Sequence, residues 1–492
     1  MSQINVKNLT FAYEGSYDNI FEDVSFTLDT TWKLGFTGRN GKGKTTFLHL
    51  LQGKYPYSGT ITANVQFQYF PYPVPDKTLH TAEVVEAINP HYPQWQLLRE
   101  LSLLDVNPDV LHRPFGTLSS GEQTKVLLAA HFIGSQEVEQ FLLIDEPTNH
   151  LDASGRGIVS RYLRGKSGFI VVSHDRDFLD GCVTHILSIS RAQIQVIQGN
   201  FTTWLAQKER QDNFELGENE KLKKDIKRLE KSAREKAAWS DKIEAGKIGN
   251  HAFDRGAIGA QAARMMKRSK AIERRQHNAI AEKSALLKNL DHASDLKVTQ
   301  LKHHKEQLLA IQDLSLYYGV TQICTNINLD IKQGDRLALQ GKNGSGKSTL
   351  LKLILGEDIA HTGTLTKASG LRISYVSQET AHLKGNLTDY ARAHHIDESL
   401  FKTILRKLDF LRVQFEKDMA DFSGGQKKKV LIAKSLCEQA HILLWDEPLN
   451  FIDVLSRIQI ERLLLSYKPT ILFVEHDTVF TRNIAERVVN LG

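Results

Sequence analysis

Two stretches of the sequence decide the fold: GRNGKGKTT, from Gly38 to Thr46, and GKNGSGKST, from Gly341 to Thr349. Both match the pattern G-x-x-x-x-G-K-[ST], in which glycines let backbone N–H groups wrap phosphate oxygens at the start of a helix. Each stretch follows a short apolar strand and opens an apolar helix, which is the context that a phosphate-binding loop needs. The chain is therefore expected to hold two nucleotide sites of the same kind.

The rest of the chain repeats around these two loops, at separations of 301 to 305 residues. The repeated pairs are VKNLTFAYEG from Val6 and IQDLSLYYGV from Ile311, LSSGE from Leu118 and FSGGQ from Phe422, LLIDEP from Leu142 and LLWDEP from Leu443, and VVSHD from Val171 and FVEHD from Phe473. Short β-rich runs alternate with helical stretches in each copy. Each copy is therefore predicted to be an α/β domain with a largely parallel central sheet.

These repeats divide the 492 residues into a first domain (1–204), a connecting segment (205–305) and a second domain (306–492). The net charge is +6, yet positions 205–300 alone carry 22 basic and 15 acidic residues, so the basicity lies in the connecting segment. Apolar residues at helical spacing predict a first long helix, through Leu222, Ile226, Leu229 and Ala233. A second stripe from Ile258 to Leu290 predicts an antiparallel partner, with the tip at about 240–259. A basic helical hairpin favours a polyanionic partner.

Several classes of protein are excluded by composition. The longest apolar run, Val126 to Ala130, is five residues, far below the roughly 18 that a membrane-spanning helix needs. The start, MSQINVKNLTFAY, alternates like a strand and does not resemble a secretion signal. Cys182, Cys324 and Cys437 show no CxxC pairing, which argues against a disulfide framework or a zinc site. A cytoplasmic protein without a membrane domain is expected.

The repeated acidic strand ends complete the predicted chemistry. The loop lysine would reach the β- and γ-phosphates, and the hydroxyl after it would supply a ligand to Mg²⁺. In LLIDE and LLWDE the aspartate would hold the Mg²⁺ shell, and the glutamate would polarise the attacking water. The residues concerned are Lys44, Thr45, Asp145 and Glu146 in the first copy, and Lys347, Ser348, Asp446 and Glu447 in the second.

LSSGE and FSGGQ, each lying between such a loop and a DEP strand, resemble the signature motif of ATP-binding cassette ATPases. In that family two cassettes face head to tail, so that each ATP lies between one phosphate-binding loop and the opposite signature. The resemblance implies two tandem cassettes of the P-loop NTPase fold, joined by the helical hairpin. It also implies ATP hydrolysis at two composite sites with Mg²⁺, in a monomer whose own cassettes pair.

The resemblance assigns site residues position by position. Catalytic roles fall to Glu146, Glu447, His174 and His476, with the histidines contacting the γ-phosphate. Magnesium ligands would be Thr45, Asp145, Ser348, Gln378 and Asp446. ATP would be bound by Tyr13, Gly38, Asn40, Gly41, Gly43, Lys44, Thr45, Thr46 and the signature Ser423, Gly424, Gly425, and by Tyr318, Gly341, Asn343, Gly344, Gly346, Lys347, Ser348, Thr349 and the signature Ser119, Ser120, Gly121. The two tyrosines would stack on adenine, unless they are ordinary strand residues.

The two copies depart from each other at the expected sites. Gln378 has its first-copy counterpart in Tyr72, which puts the metal and water contacts there in doubt. The second copy has Leu449 and Phe451 where the first has Thr148 and His150. These departures leave room for unequal cycling of the two sites.

Two fused cassettes with a long charged linker resemble the ABC-F class, whose members bind ribosomes. The linker length, the run GAIGAQAARMMKRSK and WDEPLNFID are similar to the Lsa-type antibiotic-resistance branch. That resemblance implies binding in the exit site of the 70S ribosome, with the hairpin reaching across 50S rRNA towards the peptidyl-site tRNA and protecting against lincosamides, streptogramin A and pleuromutilins. The candidate contacts to RNA or the drug site are Lys223, Lys224, Lys227, Arg228, Arg234, Phe253, Arg264, Lys267, Arg268 and Lys270. The alternative for these charges is a solvated helix face.

Other functions have different signatures. A housekeeping ABC-F translation factor is the principal alternative, and a vestigial ATPase acting as a binding module also stays open. The ATPase of a tandem transporter would join its cassettes by a short connection, so the long basic hairpin argues against it. Chromosome-organising ATPases split one cassette with their coiled coil, and excision-repair ATPases carry zinc modules that three scattered cysteines cannot build.

Overall fold

The structure is a computed structural model that describes residues 2–14, 19–90, 92–133, 140–149, 151–190, 193–245, 300–319, 321–342, 344–408, 410 and 412–491. Contacts within the chain group Met1–Trp204 and Asp295–Gly492 into one compact unit and Leu205–Ser294 into another. The first unit holds both cassettes. The α/β class with tandem cassettes, predicted from the repeats, is confirmed.

The first cassette is built on a six-stranded sheet in the order β5-β6-β7-β3-β8-β9, in which only the β8–β9 pair is antiparallel. A smaller antiparallel sheet, in the order β2-β1-β4, packs beside it. The strands are β1 Gln3–Phe11, β2 Phe21–Asp29, β3 Lys33–Thr37, β4 Ser58–Thr62, β5 Gln66–Phe70, β6 Gln140–Asp145, β7 Phe169–Val172, β8 His185–Ser190 and β9 Gln193–Gln198.

The second cassette repeats this plan with a fully parallel five-stranded sheet in the order β14-β15-β16-β12-β17. Its antiparallel sheet has the order β11-β10-β13. The strands are β10 Gln307–Tyr318, β11 Thr321–Lys332, β12 Arg336–Gln340, β13 His361–Lys367, β14 Ile373–Val376, β15 Ile442–Asp446, β16 Ile471–Val474 and β17 Arg487–Asn490.

Helices cover the parallel sheets and carry the motif residues at their ends. They are α1 Lys44–Leu51, α2 Thr81–Ile88, α3 Gln94–Leu103, α4 Ser120–His131, α5 Ala153–Arg164, α6 Arg176–Cys182, α7 Phe201–Ala245, α8 Lys347–Leu355, α9 Leu387–Ala393, α10 Glu398–Lys407, α11 Gly424–Cys437, α12 Val454–Tyr467 and α13 Thr478–Ile484. Among the described helices, none is both long and apolar enough to cross a membrane.

The buried strands explain why motif residues converge. FIVV (β7) and ILFV (β16) are buried along their whole length, as expected for parallel strands covered on both faces. Because β3, β6 and β7 run parallel, their carboxyl ends lie along one edge, where the first phosphate-binding loop and Asp145 follow directly. The same edge of β12, β15 and β16 carries Asp446. Ligand sites in open parallel sheets lie at this edge.

The first arm of the predicted hairpin is the helix α7, 45 residues from Phe201 to Ala245. The helix includes positions 240–245, which the sequence analysis assigns to the tip at about 240–259. Lys242, Glu244 and Ala245 favour helix. The second arm and the remainder of the tip lie outside the described residues.

A buried ionic cluster joins the two cassettes. Arg176, the first residue of α6, pairs with Glu461 of α12 and lies 3.4 Å from Asp477 of the second cassette. Asp477 also accepts a hydrogen bond of 3.1 Å from Arg457 Nη1. All four side chains are buried. The pKa of Asp477 is below its usual range: burial acts to raise it, but the charges of Arg457 and Arg176 outweigh that effect.

We expect Arg176→Ala to lower the free energy of unfolding by about 3 kcal/mol, because two buried carboxylates lose a cation. Urea unfolding of the full chain measures this loss. Arg482→Ala is the matched control: Arg482 is 71% exposed and lies 3.7 Å from Asp177 in a surface pair across the same interface. Its cost should stay below about 1 kcal/mol. Similar small costs for both variants would show that the buried cluster does not hold the cassettes together.

Candidate functional site

The first phosphate-binding loop is closed around the ammonium group of Lys44. Its Nζ donates to the carbonyl oxygens of Gly38 at 2.7 Å and Arg39 at 3.2 Å. Gly43, directly before α1, has φ +93, and a Cβ there would lie 2.4 Å from Ile20 Cγ2. Glycine is thus required by both conformation and space. The loop leaves N–H groups at the start of α1 in the arrangement that binds anions.

The second loop repeats this geometry. Lys347 Nζ donates to the carbonyls of Gly341 at 2.9 Å and Lys342 at 2.8 Å. Gly346 has φ +87 and precedes α8, as Gly43 precedes α1. The predicted contact residue Asn343 lies outside the described residues. Both loops therefore have the lysine and the helix start that a nucleotide phosphate requires.

The aspartates of the acidic strands meet the hydroxyls of the loops. Thr45 Oγ1 donates to Asp145 Oδ2 at 2.7 Å, and Tyr69 OH donates to the same oxygen at 3.0 Å. In the second cassette Asp446 accepts from Ser348 and from Tyr375. Sequence analysis missed both tyrosines, although each stands three positions before Tyr72 or Gln378 and so repeats between the copies.

These groups fit Mg²⁺ by their chemistry. Hydroxyl, carboxylate and amide oxygens are the hard donors that Mg²⁺ takes, usually together with phosphate oxygens and water. Asp446 Oδ1 is buried with no hydrogen-bond partner in the described part of the chain, so it has a free acceptor. Among the described residues, no cluster of three His, Cys, Asp or Glu could hold a metal by itself. The site therefore suits an ion that shares its ligands with a nucleotide.

The two glutamates have different surroundings. Glu447 Oε2 accepts from Gln378 Nε2 at 2.9 Å and from Asn450 Nδ2 at 2.6 Å. His476 Nε2 lies 3.4 Å from its other oxygen. The pKa of Glu447 is below its ordinary value: burial acts to raise it, but the hydrogen bonds from His476 and Asn450 and the charge of Lys428 outweigh that effect.

Glu146 has a histidine neighbour, as Glu447 does, but within the described part of the chain it lacks the side-chain amide donors that surround Glu447. His174 Nε2 lies 3.1 Å from Glu146 Oε1. Tyr72 replaces the glutamine, and among the described residues no side-chain amide donates to Glu146. Burial raises the pKa of Glu146 to about 8, against the opposing charge of Lys44. The neutral acid is therefore favoured at Glu146, and the carboxylate at Glu447.

The predicted adenine-stacking tyrosines differ in setting. Tyr13 OH is 2.8 Å from Thr46 Oγ1, which ties the ring to α1, and the ring packs edge-on against Phe11 and Tyr55. It is still 42% exposed, whereas Tyr318 is 80% exposed at the end of β10. Both rings have a face available for a base, and their stacking role stays a prediction.

The second signature lies against the first loop. Asn40 Nδ2 donates to the carbonyl oxygen of Phe451 at 2.7 Å. A Cβ on Gly425 would lie 3.2 Å from Asn40 Nδ2 and 2.3 Å from that carbonyl oxygen, so only glycine fits there. Ser423 caps α11 by accepting a hydrogen bond from the Gln426 backbone N–H. Gly424 packs against the Phe451 ring. The structure thus brings the first loop and the second signature together.

The second phosphate-binding loop and the first signature are less closely paired. A cavity of about 300 Å³ lies between the cassettes, lined by Asp152 and Ser154 of the first and by Lys342, Lys347 and His476 of the second, among others. Ser119, Ser120 and Gly121 start α4. In the described part of the chain they form no hydrogen bond with the second loop. The cavity is large enough for a small ligand.

The sequence alone does not predict the bond between Asn40 and the Phe451 carbonyl or the bond between Asn450 and Glu447. Asn450 has a counterpart in Asn149, and this repeat is a signal that could have identified it. The Phe451 contact uses a backbone carbonyl, for which side-chain identity gives no signal.

The basic residues of α7 are partly described. Lys223, Lys224, Lys227 and Arg228 are exposed on the helix, and Arg228 lies 3.9 Å from Asp225. Arg234 is within α7, but its side chain is outside what the structure describes. The remaining predicted RNA or drug-site contacts, Phe253, Arg264, Lys267, Arg268 and Lys270, lie outside the described residues.

Comparison with known proteins identifies the family. The ABC transporter family matches at residues 21–149 and 324–450, more than half of the chain. The ribosome protection protein VmlR of Bacillus subtilis is 29% identical over 95% of this chain and 83% of its own length. ABC transporter F family member 2 of Arabidopsis thaliana is 25% identical over 100% of this chain and 76% of its own. The chain belongs to the ATP-binding cassette family, as an ABC-F ATPase.

Solved structures agree with this fold. An archaeal ribosome recycling factor, crystallised with the ribosomal stalk protein aP1, matches 98% of this ABC-F ATPase and 87% of its own chain, with a TM-score of 0.63. The RNase-L Inhibitor matches with a TM-score of 0.62. Both are 18% identical, so they support the fold alone. The predictions of ATP binding and ATP hydrolysis are confirmed by the family.

We expect the two sites of this ABC-F ATPase to turn over unequally. Glu447→Gln should lower steady-state phosphate release at neutral pH at least about fivefold more than Glu146→Gln, because Glu447 is held as an aligned carboxylate. Adding Tyr72→Gln to the Glu447→Gln variant should raise the remaining turnover, since it gives the first site the residue that donates to Glu447 at the second. Equal losses from the two glutamate variants would contradict this expectation.

Proposed function

We propose that this ABC-F ATPase binds the ribosome and protects it from antibiotics that act at the peptidyl-transferase centre. The carrying observation is its similarity to the ribosome protection protein VmlR, which extends over 489 residues and so includes both cassettes and the linker. The drug classes that we propose are lincosamides, streptogramin A compounds and pleuromutilins. Such a protein would act in the cytoplasm, as a monomer with paired cassettes.

Nucleotide binding is proposed to close the composite sites. One ATP would lie between Lys44 and the signature that starts at Ser423, because Gly425 and Asn40 already adjoin. A second would lie beside Lys347, in the cavity that residues of both cassettes line. Phosphate oxygens would replace the backbone carbonyls as partners of the lysine ammonium groups.

Hydrolysis is proposed to depend on the glutamates and histidines. Glu447, aligned by Gln378 and Asn450, would accept a proton from the attacking water, while His476 contacts the γ-phosphate. Glu146 and His174 hold the corresponding places at the first site, where Glu146 would accept a proton only in its carboxylate form, which its raised pKa disfavours at neutral pH. Mg²⁺, held by Thr45 and Asp145 or by Ser348, Gln378 and Asp446, would neutralise phosphate charge when bound.

The linker is proposed to carry the ribosome contacts. Four exposed cations within six positions, Lys223 to Arg228, give α7 a basic face suited to rRNA phosphates. Such contacts supply affinity without reading sequence, which suits a protein that binds structured RNA. We propose that the tip, including Phe253, approaches the drug site near the peptidyl-site tRNA.

The test of this function is the growth of a susceptible bacterium that expresses the chain, on a lincosamide, a pleuromutilin, a streptogramin A and an unrelated ribosomal drug. We expect resistance to the first three alone. The double variant Glu146→Gln with Glu447→Gln should lose resistance and accumulate on ribosomes with ATP, because binding groups remain while water activation is lost. Unchanged susceptibility with an expressed, ribosome-bound protein would instead favour a translation factor.

A second test concerns the charges of α7. Replacing Lys223, Lys224 and Lys227 by Gln should weaken ribosome binding and make its salt dependence shallower, by about one unit of log–log slope per lost phosphate contact. Pelleting with ribosomes across a salt series measures both effects. The matched control replaces three exposed cassette lysines by Gln, namely Lys7, Lys77 and Lys384. An equal loss in the control would mean that only net charge matters.

A further inference from the structure

The segment from Asp446 to Leu449 carries the proposed catalytic Glu447 in a strained conformation. Glu447 has φ +46, in the left-handed region that non-glycine residues adopt at a cost. Its N–H donates to the Val474 carbonyl at 3.0 Å, which ties the segment to β16. A strained conformation persists only if its surroundings hold it. Glu146 has the same backbone conformation, with φ +50 and an N–H bond of 2.9 Å to the Val172 carbonyl, so the two copies differ in the side chains around the segment.

A buried cation holds the segment from its carbonyl side. Lys428 on α11 is 1% exposed, and its Nζ donates to the Glu447 carbonyl at 3.0 Å and to the Ser377 carbonyl at 2.8 Å. The Asp446 carbonyl lies 3.5 Å away. Charge-assisted hydrogen bonds of this kind are about twice as strong as neutral ones. A single ammonium thus joins the signature helix, the strand end before Gln378 and the catalytic segment.

A buried carboxyl group holds the segment from its N–H side. Glu475 Oε1 accepts from the Leu449 N–H at 2.7 Å, and Oε2 accepts from the His476 N–H at 2.9 Å. Glu475 is itself buried, and burial raises its pKa despite the opposing charge of Arg457. The carboxyl group therefore holds both the catalytic segment and the backbone of the histidine that faces Glu447.

The first cassette has neutral residues at the same positions. Thr124 replaces Lys428 and bonds within its own helix, from Oγ1 to the Ser120 carbonyl at 3.0 Å. Ser173 replaces Glu475, and its hydroxyl lies 3.0 Å from Thr148 Oγ1. Thr148 is in turn the counterpart of Leu449. Positions 428, 475 and 449 thus hold lysine, glutamate and leucine in the second cassette, where the first cassette has threonine, serine and threonine.

We propose that Lys428 and Glu475 form a charged clamp that positions Glu447 and makes catalysis at the second site depend on it. This inference rests on the role proposed for Glu447. Lys428 lies in α11, whose signature end meets Asn40 of the first loop through Gly425. The clamp therefore also connects closure of the first site to the catalytic segment of the second. Within the described residues, Thr124 forms no such connection in the opposite direction.

The test transplants the neutral arrangement of the first cassette into the second. Lys428→Thr, Leu449→Thr and Glu475→Ser are combined in a Glu146→Gln background, so that the second site supplies the turnover. Because the first cassette folds with these residues, the swap should preserve the fold. We expect kcat to fall about tenfold or more, since small misplacements of catalytic groups have large effects, with KM unchanged within about twofold. Binding of a fluorescent ATP analogue and the unfolding midpoint are measured beside it.

Three comparison variants sharpen the test. Lys427→Thr, on the neighbouring position of α11, should leave kcat unchanged within about twofold. Lys428→Arg retains the buried charge and should keep most of the turnover that the swap loses. Glu447→Gln in the same background is the reference for the proposed catalytic role.

The outcomes distinguish the catalytic role of Glu447 from the positioning role of the clamp. Substantial turnover in the Glu447→Gln reference would overturn the role proposed for Glu447. If that reference is inactive but the swap retains full kcat, the clamp does not position the glutamate. Parallel losses of kcat, ATP affinity and stability in the swap would show a merely structural role and also overturn the proposal. A selective loss of kcat that Lys428→Arg prevents would support it.

Discussion

Buried charge is the constraint on which the rest of the structure depends. A charged group removed from water must find a partner of opposite sign or a set of hydrogen bonds, and this protein buries many such groups where its cassettes meet. Arg176 and Arg457 share Asp477 between α6, α12 and α13. Since Asp477 also accepts from the Phe480 N–H, the same charges fix the start of α13 and the chain after His476. Cassette contact and site geometry therefore have a common electrostatic basis.

The two ATP sites share a fold but not an environment. The two sites have equivalent lysine, hydroxyl and aspartate groups. The differences between the sites are concentrated around the glutamates. Gln378 and Asn450 donate to Glu447, and His476 and Asn450 help to lower its pKa, whereas no side-chain amide in the described part of the chain donates to Glu146. Such a difference suits a cycle in which one site mainly holds ATP and the other mainly turns it over. The linker would then be attached to two ATP sites that turn over unequally.

Much of this could be predicted from the sequence because the decisive motifs act locally. A phosphate-binding loop is a strand, a glycine turn and a helix start, so eight residues and their flanks suffice, and the repeat supplied the two α/β cassettes. Contacts between distant parts could not be predicted in the same way. In the run Lys427 to Lys429, Lys428 looks like a surface charge. Only the fold shows that its Nζ reaches from α11 to two backbone carbonyls of other segments. Helix at positions 240–245 was also not predicted, because the helix propensity of residues such as Lys242, Glu244 and Ala245 outweighs the loop pattern there.

The repeat has one more consequence, which concerns how this asymmetry could arise. In a dimer of identical chains, any substitution appears in both halves, so a lysine gained at one signature helix is gained at both. Here the two halves are covalently joined and separately encoded, and each face meets a single, fixed counterpart. A glutamate beside one histidine can be balanced by a nearby cation while the other half has a serine at the same position. Having both halves in one chain is therefore what allows them to differ.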